Sequence, residues 1–204
     1  MQQSLLQKQH QLPNKHEKYL RTQGYCQIAG VDEAGRGPLA GPVVAAACII
    51  EEDLIFDGID DSKKLTAKKR EQLFAQIIDQ TTYGIGIVDH NKIDEINILR
   101  ATHLAMRRAI DALPLPPDFI LVDGHPVHFQ KTASVGVIKG DSLEQLIAAA
   151  SILAKVTRDR IMLHYHELYP EYDFASHKGY GTLKHKEALY KYGRCPIHRI
   201  SFSY

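Results

Sequence analysis

Apolar residues run without interruption through Ile28-Ala29-Gly30-Val31, from Val43 to Ile50, and through Phe119-Ile120-Leu121-Val122. Each run is short and bounded by turn-forming or acidic residues, which reads as an interior strand rather than a helix. Strands are predicted near 27–32, 42–50 and 82–89, then at 119–122 and 133–138, with the Gly84 and Gly86 pair weakening the third. Helical spacing takes over between them. Thr66 can cap a helix over 67–80 with Leu73, Phe74, Ile77 and Ile78 inward, and one helix is predicted from about 91 to 112, stopped by Pro114-Leu115-Pro116-Pro117. Ser142-Leu143-Glu144-Gln145 has the form of a capping box opening a long helix, with Leu143, Leu146, Ile147, Ala150, Leu153 and Ala154 on its apolar face. Tyr165 to His177 reads as turn and loop broken by Pro170, and Thr182 caps a last helix that Gly193 ends. The pattern predicts a mixed α/β sheet in one catalytic-sized domain, 25–204, with a helical C-terminal segment from about 165. A polar N-terminal extension, 1–24, carries a fragmentary helical pattern in Leu5, Leu6, Leu12, Tyr19 and Leu20.

The strands share one habit: they end in acid. The first runs into Asp32-Glu33-Ala34-Gly35-Arg36-Gly37-Pro38, the fourth into Asp123-Gly124, and the fifth through Lys139-Gly140 into Asp141. In an open sheet the chemistry gathers beyond the strand ends, so these carboxylates can converge although far apart in sequence. Four gathered acids repel one another unless a cation sits between them, and all-oxygen ligation points to a hard ion such as Mg²⁺ or Mn²⁺. Adjacent strand residues face opposite ways, so Asp32 and Glu33 share a site only if the strand breaks or a backbone carbonyl substitutes; Gly35 offers such a break. The glycines also let a phosphate backbone approach, and Arg36 supplies a planar cation for it.

Composition is that of an ordinary soluble globular chain, and 204 residues suffice for one well-buried core. Cys26, Cys48 and Cys195 form no disulfide or zinc spacing, the N-terminus lacks a signal-peptide core, and no apolar run can cross a bilayer; a cytoplasmic protein is expected. Net charge of +1 hides an asymmetry: residues 1–154 carry 16 Lys/Arg against 19 Asp/Glu, and residues 155–204 carry 9 against 5. Seven of the ten tyrosines also lie in that basic tail, a mixture that suits gripping phosphates and stacking on sugars, although a solvated helical face has the same composition. The eleven histidines show no metal-binding spacing and read as loop, surface or backbone-contact residues.

Taken in order, Asp32-Glu33-Ala34-Gly35-Arg36-Gly37-Pro38, Asp61-Ser62-Lys63-Lys64-Leu65, Val122-Asp123-Gly124, Lys139-Gly140-Asp141, Ala150-Ser151-Ile152-Leu153-Ala154-Lys155-Val156, Arg158-Asp159, Lys178-Gly179-Tyr180-Gly181-Thr182 and His198-Arg199-Ile200-Ser201-Phe202 resemble the motifs of ribonuclease HII, the bacterial type 2 ribonuclease H. The match covers nearly the whole chain, and the Gly-Arg-Gly turn separates it from the related type 3 enzymes. The resemblance implies a ribonuclease H-like fold, a five-stranded mixed sheet flanked by helices with its first three strands antiparallel, and a C-terminal helical appendage. It implies a two-metal site built from Asp32, Glu33, Asp123 and Asp141. Two cations roughly 3.5–4 Å apart activate water and stabilise the leaving oxygen.

Substrate selection would need detection of one 2′-hydroxyl. By the same resemblance, Gly35, Arg36 and Gly37 meet that hydroxyl and its phosphate, Tyr180 packs against the sugar, and Lys63 contacts phosphate. Asp159 is a candidate supporting acid, with a local ion pair as the plainer reading. The implied activity is hydrolysis of the RNA strand of RNA/DNA hybrids and cutting 5′ of single ribonucleotides in duplex DNA, by a monomer. Two other classes compete. A binding module that lost its chemistry has no use for four carboxylates facing a polyanion, and a nucleotide-binding domain would need a Gly-x-x-x-x-Gly-Lys-Ser/Thr loop that the chain lacks.

Overall fold

The computed structural model describes residues 11–204. Strands β1 (Ile28–Ala34), β2 (Val43–Ile49), β3 (Thr82–Val88), β4 (Phe119–Asp123) and β5 (Ala133–Val137) form one sheet in the order β3-β2-β1-β4-β5. The first three pair antiparallel, and β1, β4 and β5 run parallel through helical or looped crossovers. β2 is buried along its whole length, which is why its sequence is a continuous apolar run without alternation.

Helix α5 (Gln145–Leu168) covers one face of the sheet, and α4 (Ile98–Asp111) covers the other. α5 has no polar side over its first ten residues: everything from Gln145 to Ala154 is buried, because the helix lies between the sheet and α2 (Ala67–Gln80). The glycines of β3 serve α4. A Cβ at Gly86 would lie 2.0 Å from the Ala105 carbonyl oxygen and one at Gly84 2.1 Å from that of Ala109, so they permit helix-to-sheet contact instead of weakening the strand. A third apolar cluster, including Leu39, Met162, Phe174, Leu189 and Ile197, fastens α6 (Phe174–His177), α7 (Leu183–Tyr192) and the tail to the β1–β2 connection.

Several elements differ from the sequence expectations. The capping box does not form. Ser142 belongs to a separate tight turn, Gly140–Ser142, so Leu143 lies outside α5; the amide of Gln145 instead donates to Asn14 Oδ1 at 2.7 Å. Glu144, fully buried, accepts from the His16 and Glu17 amides at the start of α1 (Lys15–Thr22). Residues near the N-terminus thus cap the central helix, and Leu12 and Leu20 enter the core; Leu5 and Leu6 lie outside the described residues. The helix predicted over 91–112 is two, α3 (His90–Ile96) and α4, separated at Asn97, whose φ of 67° breaks the first and whose side chain caps the second through the Arg100 amide. α5 runs on to Leu168, so Tyr165 is helical, and α6 interrupts the expected loop. Ile78 is 39% exposed while Leu73, Phe74 and Ile77 are buried, since the inward stripe of α2 is narrower than the apolar residues suggest. Among the described residues no helix is long and apolar enough to cross a membrane.

Candidate active site

Parallel pairing of β1 with β4 sets Val31 opposite Val122, so the next residue on each strand, Asp32 and Asp123, emerges at the same carboxyl-end edge of the sheet. After β5, Lys139 takes a left-handed conformation with φ of 58° and turns the chain so that Asp141 meets them; its amide faces Asp123 Oδ1 at 3.4 Å. One carboxylate oxygen from each of Asp32, Asp123 and Asp141 lies within 4.8 Å of the others. Glu33 is not part of that trio. β1 stays regular through Glu33 and Ala34, paired with Ala45 and Val44, so the break at Gly35 comes after the acid pair and not between its members. Its carboxylate pairs instead with Arg36 at 3.3 Å, while its amide donates to Asp32 Oδ1 at 2.6 Å.

The trio holds its negative charge reluctantly. Burial, followed by the Glu33 and Asp123 carboxylates, pushes Asp32 well above the usual carboxylate range, against the lowering effect of a hydrogen bond from Ser151. Burial and the charges of Asp123 and Asp61 push Asp141 up to about 6, although Lys63 opposes them. Glu33 is raised by burial and partly relieved by Arg36. Lys63 completes the picture: burial would lower its pKa, yet attraction to Asp61, Asp32, Asp141 and Asp123 raises it.

Beside the trio lies a cleft of about 260 Å³ lined by Glu33, Gly35, Arg36, Gly37, Lys63, Ser151, Lys155 and Tyr180, among others. Tyr180 is 44% exposed, and its ring borders Gly37. Asp159 stands apart from the trio and pairs with Lys155 at 2.7 Å, one turn along α5, rather than with its neighbours Arg158 and Arg160. The elements that the sequence singled out, the Gly-Arg-Gly turn, Lys63 and Tyr180, therefore meet at one opening.

The family model for ribonuclease HII matches residues 29–204, taking in every one of these elements. The chain belongs to the ribonuclease HII family. It is 50% identical to ribonuclease HII of Ruminiclostridium cellulolyticum over 97% of this chain and 83% of that one, and 54% identical to that of Caldicellulosiruptor saccharolyticus over 91% of each. Among solved structures, ribonuclease H2 of Pyrococcus horikoshii superposes with a TM-score of 0.72 at 33% identity, covering 86% of this chain and 93% of that one. Ribonuclease HII of Archaeoglobus fulgidus, solved in complex with PCNA, gives 0.73 at 28% identity, covering 87% and 96%. The chain is thus a ribonuclease H, acting on RNA/DNA hybrids.

Enzymes of the ribonuclease H family depend on divalent metal, and the trio suits one: three oxygen donors, mostly buried, whose mutual repulsion a hard cation would relieve. Two residues given no role from the sequence interact with the acids of this candidate site. Ser151 hydrogen-bonds Asp32 and, within the buried interior, Ser62 Oγ at 2.9 Å, tying the Asp61-Ser62-Lys63-Lys64 loop to the acids. Asp61 reads locally as a solvated turn, yet folding brings it to Asp141. Of the histidines, expected as loop, surface or backbone-contact residues, His177, His185 and His198 are buried and contact the backbone, with His185 Nε2 and His198 Nε2 3.0 Å apart. His185 Nδ1 donates to the Tyr180 carbonyl at 2.9 Å, and His177 Nδ1 accepts from the Gly179 amide at 3.2 Å. Together they prop the loop that carries Tyr180.

Proposed function

We propose that this chain cuts the RNA strand of RNA/DNA hybrids and, in duplex DNA, cuts on the 5′ side of a single embedded ribonucleotide, leaving 3′-hydroxyl and 5′-phosphate ends. Removal of misincorporated ribonucleotides and of RNA primers would follow. The observation that carries this reading is the adjacency of a metal-ready carboxylate trio to a cleft bordered by a glycine-flanked arginine and a glycine-flanked tyrosine.

Asp32, Asp123 and Asp141 would hold the divalent cations, Mg²⁺ or Mn²⁺, with Glu33 a ligand of one of them. Two such cations, when bound, supply a water of lowered pKa and stabilise the departing oxygen. Lys63, drawn toward all three acids, holds its charge where a phosphate would sit. Arg36, half-exposed and paired with Glu33 through one nitrogen, can turn its guanidinium onto a phosphate. The bare backbone of Gly35 and Gly37 admits the ribose edge, and Tyr180 closes on the sugar. Asp159 supports the site through its ion pair with Lys155, which lines the cleft. The protein acts as a monomer in the cytoplasm, on duplex nucleic acid gripped by its basic tail.

The test is cleavage of three labelled duplexes, one with a single ribonucleotide, one a continuous hybrid and one all DNA, with Mg²⁺, Mn²⁺ or EDTA. The expected products are one incision 5′ of the lone ribonucleotide, many in the hybrid and none in DNA or EDTA. Cutting of the hybrid with the single-ribonucleotide duplex left intact would refute the finer claim, and cleavage in EDTA would refute the metal.

A further inference from the structure

Among the described residues two arginines are buried to 1% exposure, Arg158 on α5 and Arg199 in the tail, and every side-chain hydrogen bond recorded for them there goes to a main-chain carbonyl. Arg199 donates to Gly35 at 2.6 Å, Arg36 at 3.0 Å, Gly41 at 3.0 Å and Pro42 at 3.1 Å. It thus bridges the start of the Gly-Arg-Gly turn to the point where the chain re-enters the sheet. Arg158 donates to Pro42 at 3.0 Å, Ala40 at 3.1 Å and Lys178 at 3.0 Å. The Pro42 carbonyl is shared between them, and Lys178 immediately precedes the Gly179-Tyr180-Gly181 loop.

Burying a guanidinium costs several kcal/mol unless its donors are satisfied, so such a pair persists only where the acceptors are fixed in the right geometry. Reciprocally, the guanidiniums fix the acceptors. The backbone has adapted to them: Gly35 sits at φ 99°, where a Cβ would lie 2.1 Å from Arg158 Nε, and Gly179 sits at φ 85°, where one would lie 2.8 Å from the Ala40 carbonyl oxygen. The Arg158 guanidinium carbon also lies 5.9 Å from the centre of the Tyr180 ring. One planar cation therefore touches the turn, the far loop and the tyrosine itself.

We infer that Arg158 and Arg199 are positioning residues for substrate selection, setting the distance between the Gly35-Arg36-Gly37 turn and Tyr180 and hence whether one ribose fits between them. The inference rests on the proposed reading that these two elements meet the ribose. Neither guanidinium belongs to the carboxylate trio, so metal binding is independent of the clamp. Lysine does not reproduce either set of contacts, because its three donors sit on a single nitrogen whereas these carbonyls are met by three separate guanidinium nitrogens.

Arg158→Lys and Arg199→Lys keep the interior charge and remove the fork. In each full-length variant, kcat/KM is measured on the single-ribonucleotide duplex and on the continuous hybrid, amide hydrogen exchange is followed over residues 35–37 and 178–181, and the Mn²⁺-induced rise in melting temperature is recorded. The expected result is a loss on the single ribonucleotide at least about tenfold greater than on the hybrid. Faster exchange in both segments and an unchanged Mn²⁺ response should accompany it. Equal proportional losses on the two substrates, or wild-type exchange in both segments, would overturn the clamp. Should one variant fail to fold, the other carries the same comparison. A wild-type protein that cuts the hybrid but not the lone ribonucleotide would instead overturn the ribose reading, and the inference with it.

Discussion

Replacing Asp123 with Asn separates what the carboxylate cluster does for chemistry from what it costs the fold. Asp123 acts on both other members of the trio: its charge raises Asp32 and Asp141 alike. With the three oxygens inside 4.8 Å, each unscreened pair repels by about 3.5 kcal/mol at an effective dielectric constant of about 20. Proton uptake and the nearby Lys63 reduce this, so about 1–3 kcal/mol of strain is the reasonable range for the metal-free protein. Asparagine is isosteric and keeps an oxygen for the Asp141 amide, but it removes the charge. Asp123→Asn should therefore melt higher than wild type in EDTA, by roughly 2–4 °C for each kcal/mol relieved in a chain of this size. It should also lose most of the melting increase that Mg²⁺ or Mn²⁺ gives the wild type, and lose cleavage while still binding hybrid. Parallel thermal melts with and without metal, followed by a hybrid cleavage assay, read all three. A variant that melts lower than wild type in EDTA and retains the full metal response would refute the reasoning, because repulsion and ligation would then both lie elsewhere.

Tyr180→Ala should impair cleavage at a single ribonucleotide more than cleavage of a continuous hybrid, whose many registers and A-like shape compensate, whereas Arg36→Ala should weaken both; equal losses for Tyr180→Ala would leave it a merely supporting residue. His198, lowered to about 4 by burial first, stays neutral in the fold but takes up a proton in the unfolded chain near pH 6.5. Its contribution is thus complete above that pH and lost as pH falls toward 4, by no more than about 3 kcal/mol. The raised carboxyls act in the opposite direction, so the informative quantity is the stability gap between wild type and His198→Gln. That gap should narrow from pH 7 to 4.5 in denaturant titrations, and a constant gap would refute it. Asn14→Ala removes the side chain that caps α5 and should cost about 0.5–2 kcal/mol in the same titrations, where a change smaller than a few tenths would show the cap to be replaceable by water.

Short-range information was enough for the parts of this protein whose physics is short-range. Thr66 and Thr182 each cap the helix that follows within three residues, and apolar runs marked β1, β2 and β4 because a chain buried on both sides has few polar options. The acids at the strand ends were visible for the same reason: a buried run must stop where charge begins. Family resemblance, carried by ordered motifs, added the grouping of those acids and the sheet. What only the tertiary structure decided involves partners distant in sequence. Ser142 offers a good local cap, but Asn14 arrives from 131 residues away and takes the Gln145 amide. Glu33 follows Asp32 immediately, yet the β1–β2 register extends past it and keeps it out of the trio that Asp141 joins from over a hundred residues downstream. Arg158 and Arg199 read along the chain as ordinary surface cations, since arginine is rarely buried. Their interior place depends on carbonyls at Gly35 to Pro42 and at Lys178 turning inward together, an arrangement no local pattern specifies, because a main-chain acceptor carries no residue identity.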